Sequence, residues 1–441
     1  MTGNHLIERR PYMQTLRSLM GQRVIKVVTG MRRSGKSTLL EMRAAEIARA
    51  VGRKRVQFLN FEDLDTLAIG DYLQVYRHIS KRLAPGGMNY VFLDEVQNIA
   101  GFERMVDSLY IKKNVDLYIT GSNACLLSSE LATLLTGRYI EVHVLPFSFS
   151  EYSAMVANPQ KFIEIVSFAD LDGIFERRRQ SGLKKPSGLS KSVPQNLSKD
   201  ALLMDFIYNG SMPPAVSMRH SAPEQENDFM KAVLNTIIEK DIFRRRDIHN
   251  KPAFNKVVDF LFDSIGSYVS PNSIANTLKS DKTGVNNETV ANYLNHLAQS
   301  YLLYRVPRYD VKGKSLLKTL DKYYLADTGF RKIRLGKRVA EERGRLLENM
   351  VYLELRRRNS DVYIGKLYDK EIDFVAIDKK GYVSYYQVAY TVTDEQTLQR
   401  ELAPLRLIRD SNPKYLLSAD RDTDPVYDGI RKYNVADWML G

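Results

Sequence analysis

Apolar positions in the first 150 residues switch between two spacings. The run "RVIKVVTG", ending at Gly30, is β-branched and of strand length, and the stretch from Lys36 to Ala50 repeats at helical spacing. "RVQFLNFED" predicts a second strand, and a helix follows from about Asp71 to Leu83. "NYVFLDE", "VDLYITGS" and "RYIEVHVL" predict a third, fourth and fifth strand, with helical patterns between them. Strands alternating with helices imply a parallel sheet covered on both faces.

Beyond Pro146 the pattern turns helical. Within it, the Ser/Lys/Pro-rich stretch at about residues 176–200 has no apolar period and reads as a surface insertion or linker. From Phe254 the order is helix, helix, helix, hairpin: "FNKVVDFLFDSIG", "SPNSIANTLKS", "NNETVANYLNHLAQS", then two strands flanking "DVKGK". Asn286 or Asn287 caps the third helix. This order is that of a winged helix-turn-helix. From about Gly344 come the amphipathic helix "GRLLENMVYLELRRR" and the strand pair of "EIDFVAIDKKGYVSYYQVAY". The expected fold class is α/β, with four parts. Residues 1–155 form the first α/β domain, 156–250 a helical lid with the basic insertion, 251–325 the winged helix and 326–441 a second α/β domain.

A chain of 441 residues is too long for one ordinary core, and 44% apolar with 10% aromatic content suits packed domains. The net charge of +13 favours a polyanionic partner, either nucleic acid or an anionic surface. Cys125 is the sole cysteine, so no internal disulfide forms and a reducing compartment is expected. The first residues carry no apolar signal-type region, and no apolar run reaches the ~18 residues of a membrane span. The expectation is a cytoplasmic chain without a membrane partner.

"GMRRSGKST" fits G-x-x-x-x-G-K-[ST] between a strand and a helix, the context that the phosphate-loop motif requires. Gly30, Met31, Arg32, Arg33, Ser34, Gly35, Lys36, Ser37 and Thr38 would wrap backbone N–H groups around phosphate oxygens at a helix N-terminus. Lys36 reaches the β- and γ-phosphates, and Ser37 places its hydroxyl on Mg²⁺. The strand "YVFLDE" ends in Asp94, the Mg²⁺ carboxylate, and Glu95 is placed to polarise the attacking water. One strand, "VQFLN", intervenes in sequence between the two motifs, the mark of the additional-strand class of ATPases. No guanine-reading Asn-Lys-x-Asp is present, since Val258 stands where the Asp of "NKVVD" would be, so ATP is the expected nucleotide. Ser122 or Asn123, after the fourth strand, takes the polar sensor position. Arg138 is the candidate arginine finger, toward the γ-phosphate of the same or a neighbouring subunit.

These residues resemble the bacterial and archaeal ATPases of the AAA superfamily that carry a C-terminal domain of unknown function. "GMRRSGKSTLL", "FLDEVQN" and "ITGSNACLLSSELATLLTGRY" are similar to the N-terminal half of that family, and "YYLADTGFR", "GRLLENMVYLELRRR" and "EIDFV" to its C-terminal half. The resemblance covers nearly the whole chain outside the basic insertion. It implies an AAA-type P-loop domain, a winged helix and a domain similar to the PD-(D/E)xK nuclease fold.

The winged helix has two readings: on DNA its third helix would enter a major groove with Lys312 and Lys314 near phosphates, and in the other it is an internal packing or lid module. That helix offers Asn and His but no Arg or Lys, which favours nonspecific contact with DNA over sequence readout. In the nuclease-like domain, Glu348, Asp373 and Gln387 occupy the metal-binding places. Gln387 is a weak ligand and Ala389 replaces the expected lysine, with Lys366 or Lys370 as the lysines able to take its role. The leading expectation is an Mg²⁺-dependent ATPase whose cycle switches conformation on a nucleic-acid or protein partner, with or without homo-oligomers. The alternatives are an ATP-regulated DNA nuclease using Glu348 and Asp373, and a scaffold that binds ATP without turnover.

Overall fold

The structure is a computed structural model that describes residues 8–124, 137–157, 198–280, 285–336, 342–358, 361–421 and 425–441. The expected surface insertion and Cys125 lie outside these residues, apart from the last three positions of the insertion. Two compact units are present, the first within residues 1–144 and 154–195, the second within 145–153 and 196–441. No helix among the described residues is long and apolar enough to cross a membrane.

The first unit opens with α1 (Arg10–Ser18), β1 (Ile25–Thr29) and α2 (Lys36–Val51). β2 (Val56–Asn60), α3 (Tyr72–Lys81), β3 (Asn89–Asp94), α4 (Phe102–Ile111), β4 (Val115–Gly121) and β5 (Tyr139–His143) follow. All five strands run parallel in the order β2-β3-β4-β1-β5. The expected parallel sheet is therefore present, but β2, the strand between the motifs in sequence, lies at the edge. β4 is the strand inserted between β1 and β3.

Strand residues alternate between two covered faces. Val28, Tyr90, Phe92 and Tyr118 pack with α1 and α2, through Leu16, Leu39, Leu40 and Ala44. Val27, Val91, Leu93 and Ile119 pack on the other face with Val75, Ile79, Val106 and Leu109 of α3 and α4. Asp71 starts α3 with a capping box, accepting from Leu73 and Gln74 N–H while its own N–H donates to the Gln74 side chain.

The second unit begins with α5 (Lys199–Asn209), α6 (Pro213–Ser221) and α7 (Pro223–Thr236). Next come α8 (Lys251–Asp263), β6 (Tyr268–Val269), α9 (Pro271–Ser280), α10 (Asn287–Gln299), β7 (Leu303–Asp310) and β8 (Ser315–Leu325). Asn286 is the cap of α10, its side chain accepting from Thr289 N–H at 2.8 Å. α11 (Gly329–Leu335) and α12 (Arg343–Arg357) precede β9 (Asp361–Leu367), β10 (Lys370–Ile377) and β11 (Val383–Ala389). α13 (Glu395–Arg406), β12 (Lys414–Ser418), β13 (Val426–Tyr427), β14 (Ile430–Asn434) and α14 (Val435–Leu440) complete the chain.

Its sheet has nine strands in the order β13-β14-β12-β11-β10-β9-β7-β8-β6. The expected boundary between residues 325 and 326 thus falls inside one sheet. The reason is pairing: β7 of the hairpin runs parallel beside β9, with Asp310 opposite Lys366. One face is covered by α13, where Leu398, Leu402 and Leu405 pack on Ile372, Val375 and Leu416. On α12, Tyr352 stacks on Tyr324 at 4.7 Å between ring centroids and meets Phe374 at 6.1 Å.

Candidate functional site

The loop between β1 and α2 holds three residues in the left-handed region: Gly30 (φ 137°), Arg33 (φ 67°) and Gly35 (φ 98°). Gly30 cannot be replaced without movement, because a Cβ there would lie 2.2 Å from the Val144 carbonyl oxygen. This curvature turns the loop back on itself before α2 begins at Lys36.

Lys36 is 3% exposed, and its Nζ donates to the Met31 carbonyl at 3.2 Å and lies 3.5 Å from Glu95 Oε1. Ser37 Oγ donates to Asp94 Oδ1 at 3.1 Å. The groups at the ends of β1 and β3 therefore converge although β4 separates the two strands. Thr120, on β4, is the link: its hydroxyl donates to Asp94 Oδ1 at 2.5 Å and accepts from Glu95 N–H at 2.8 Å. Ser122 and Asn123 are buried just beyond it. Ser34 is buried and Thr38 half-buried. Arg32 pairs with Glu62 at 2.8 Å, while Arg33 is exposed.

Burial raises the Asp94 pKa, and Glu95 adds to the rise, against hydrogen bonds from Thr120 and Ser37. Glu95 is also pushed up by burial, yet the Lys36 charge and the Gln97 hydrogen bond outweigh that and leave it below the ordinary range. Two adjacent carboxylates are thus shifted in opposite directions, Asp94 upward and Glu95 downward. Its backbone sits at φ 52°, a left-handed conformation unusual for a residue with a side chain.

Two residues here were missed by sequence reasoning. Gln97 donates to Glu95 Oε2 at 2.5 Å and to Ser122 Oγ at 3.5 Å, while its own Oε1 is buried without a partner. Its signal was its place two residues after Glu95 in "DEVQN". Arg9 is 4% exposed and donates to the Ser34 carbonyl at 3.0 Å, bracing the loop from the start of α1. No local pattern marks it.

Arg138 does not join this group. It precedes β5, its carbonyl accepts from Ile25 N–H at 2.8 Å, and β5 runs parallel to β1. The residue therefore lies at the start of β1, about 16 Å of strand away from the loop at its end. Its side chain pairs with Asp107 at 2.7 Å.

The donor set suits the groups implied for it. Mg²⁺ bound with nucleotide takes few protein oxygens, and a hydroxyl beside one carboxylate is such a set. The buried Ser34 Oγ, unpartnered like Gln97 Oε1, leaves hydrogen-bonding capacity inside the loop.

In the second unit, Glu348 on α12 lies close enough to Asp373 on β10 to act on its charge, and the Asp373 carboxylate accepts from Val388 N–H at 2.7 Å. Gln387 turns its amide to Glu401 at 3.0 Å. The cation among the carboxylates is neither Lys366 nor Lys370, which flank the β9–β10 turn. It is Lys322 of β8, 3.0 Å from Glu348 and 2.7 Å from Glu371. Tyr324, two residues on and so on the same strand face, donates to Glu348 at 2.5 Å. Burial drives the Asp373 pKa well up, and Glu348 adds to it, while Lys322 opposes. Among the described residues no group of three or more His, Cys, Asp or Glu is arranged to hold a metal ion.

Residues 22–153 match the family model of an AAA domain, and residues 200–340 that of a domain of unknown function, DUF8612. An uncharacterized protein of Haemophilus influenzae is 32% identical, with 99% of each chain covered. An uncharacterized protein of Methanocaldococcus jannaschii is 27% identical over 86% of this chain and 77% of its own. Among solved structures, a Walker-type ATPase of Pyrococcus abyssi is similar at 14% identity and a TM-score of 0.48, covering 75% of this chain and 96% of that one.

Proposed function

Because the chain belongs to the AAA-superfamily ATPases that carry an extra C-terminal domain, we propose that it binds ATP with Mg²⁺, hydrolyses it, and uses the cycle to switch conformation on a nucleic-acid or protein partner. The observation that carries this reading is the convergence of Lys36 on Glu95 and of Ser37 on Asp94. Each pair joins one residue of the phosphate loop to one of the acidic strand end.

In this reading Lys36 exchanges its contacts with Met31 and Glu95 for the β- and γ-phosphates. That exchange frees the Glu95 carboxylate to accept a proton from the attacking water. Ser37 and Asp94 hold Mg²⁺, which when bound draws charge from the phosphate oxygens. Ser122 and Asn123 stand where a polar side chain registers the γ-phosphate. Arg138 has no part in its own subunit's site; a finger role for it requires the phosphate of a neighbouring copy.

Steady-state turnover and nucleotide binding test the assignment together. Lys36→Ala should lose ATP turnover by at least ~100-fold and weaken ATP binding. Glu95→Gln should keep ATP bound and lose turnover by about 100- to 10,000-fold. Wild-type turnover in Glu95→Gln would remove Glu95 from the role of base.

A further inference from the structure

Two turns at one end of the nine-stranded sheet have no part in the nucleotide site. The β7–β8 turn carries Lys312 and Lys314, and the β9–β10 turn carries Tyr368 between Lys366 and Lys370. Because β7 and β9 run in parallel register, and Val311 N–H donates to the Lys366 carbonyl at 3.0 Å, the two turns leave the sheet side by side. Lys312 Nζ lies 5.2 Å from the centre of the Tyr368 ring.

Most side chains of this tip face outward, and Lys366 is half-buried. Tyr368 is 58% exposed, and Lys312, Lys314 and Lys370 are exposed as well. The backbone is unusual at both turns: Lys314 has φ 50° and Tyr368 φ 57°. Such left-handed turn positions favour Gly, Asn or Asp, since a Cβ is crowded there. A large aromatic ring held in that conformation is not buried in return, and the Lys312 ammonium is the contact it makes across the two turns. Four lysines share the tip with the carboxylates of Asp310 and Asp369, leaving a positive surface around an open ring.

We propose that this paired tip binds single-stranded nucleic acid, with Tyr368 stacking on an unpaired base and Lys312, Lys314, Lys366 and Lys370 meeting the phosphates. In a duplex the base faces are covered by their neighbours, so a ring presented on a projecting tip selects an unpaired strand. The inference deepens the nucleic-acid half of the proposed function and rests on that half alone, because the tip can bind whether or not ATP turns over.

The test is fluorescence anisotropy of the full chain with a labelled oligothymidylate of about 20 nucleotides, without nucleotide, from about 50 to 200 mM KCl. The expected salt slope of log K is about −3, for four phosphate contacts on a single strand. Tyr368→Ala should weaken binding about 10-fold and Tyr368→Phe less than about 2-fold. Lys312→Glu with Lys314→Glu should lower the slope by about 1.4. Equal loss in Tyr368→Phe and Tyr368→Ala, no loss in either, or equal affinity for a duplex of the same length would overturn the proposal. Lys36→Ala in the same assay separates the two readings. Unchanged oligothymidylate binding in that variant leaves this site standing without turnover, while failed binding by the unaltered chain, beside intact turnover, removes this site alone.

Discussion

At the phosphate loop one lysine faces two carboxylates; in the C-terminal sheet one lysine faces three. Lys36 makes long contacts, 3.2 Å to Met31 and 3.5 Å to Glu95, and the buried Ser34 Oγ and Gln97 Oε1 beside it have no partner. Lys322 makes short ones, 3.0 Å to Glu348 and 2.7 Å to Glu371, and Tyr324 closes the Glu348 carboxylate at 2.5 Å. The residue types are alike, but the first cluster keeps unpaired Ser34 Oγ and Gln97 Oε1, whereas the lysine and three carboxylates of the second are paired with one another or with Tyr324 and Val388. A polar cluster is ready for a ligand when buried groups remain unpaired, because only then does binding satisfy them. The ammonium of Lys322 stands among these carboxylates, in the place that a bound metal ion would need.

The largest expected effect breaks the closed cluster. Lys322→Met leaves three carboxylates in a buried site without their cation, and should destabilise the chain by about 3–5 kcal/mol. Thermal or denaturant unfolding measures this, and Lys36→Met, which empties the open site, should cost markedly less. If the two variants lose equal stability, the contrast between the sites fails.

A smaller effect sharpens the open site. Gln97→Ala removes a donor to Glu95 and should lower kcat about 10-fold with ATP affinity changed less than about 2-fold. Its acid limb in the pH–rate profile should move upward, because the Gln97 hydrogen bond helps hold Glu95 ionised. A fall in ATP affinity with kcat preserved would instead make Gln97 a binding residue.

The smallest effect is a slope. Asp373 has a folded-state pKa above its unfolded value, so the stability it contributes is full below the unfolded pKa and is lost as pH rises through the folded one. Glu95 is shifted the other way, so its contribution is present above its unfolded pKa and is lost as pH falls. Asp373→Asn should therefore flatten the decline in stability toward higher pH, a change of at most about 1.4 kcal/mol per pH unit. Unfolding free energies measured across the range, with the same pH dependence in both proteins, would place the Asp373 proton elsewhere.

Much of the first unit was legible because its signals are local. The nine residues from Gly30 to Thr38 contain both the conformational freedom and the side chains of the loop, and Asp94 and Glu95 end a strand whose apolar run is continuous. Asp71 and Gln74 state their own capping box within four residues. The C-terminal site was less legible. Glu348, Asp373 and Gln387 were placed by resemblance, but the lysine was sought at Lys366 and Lys370, near in sequence to the strand pair. Lys322 reaches the carboxylates from a strand that the chain completes before α12 begins.

The local elements, the phosphate loop and its acidic partner strand are written in short stretches of chain, since helical and strand periods and turn conformations are set within about ten neighbouring residues. The assembled fold put β4 between β1 and β3, so that Thr120 ties Asp94 to Glu95. It also put Arg138 at the far end of the sheet, joined the hairpin to the C-terminal strands, and set Lys322 among the carboxylates. These are outcomes of strand order and register, which pair residues far apart in the chain by how whole faces bury, and no short stretch of sequence contains that information.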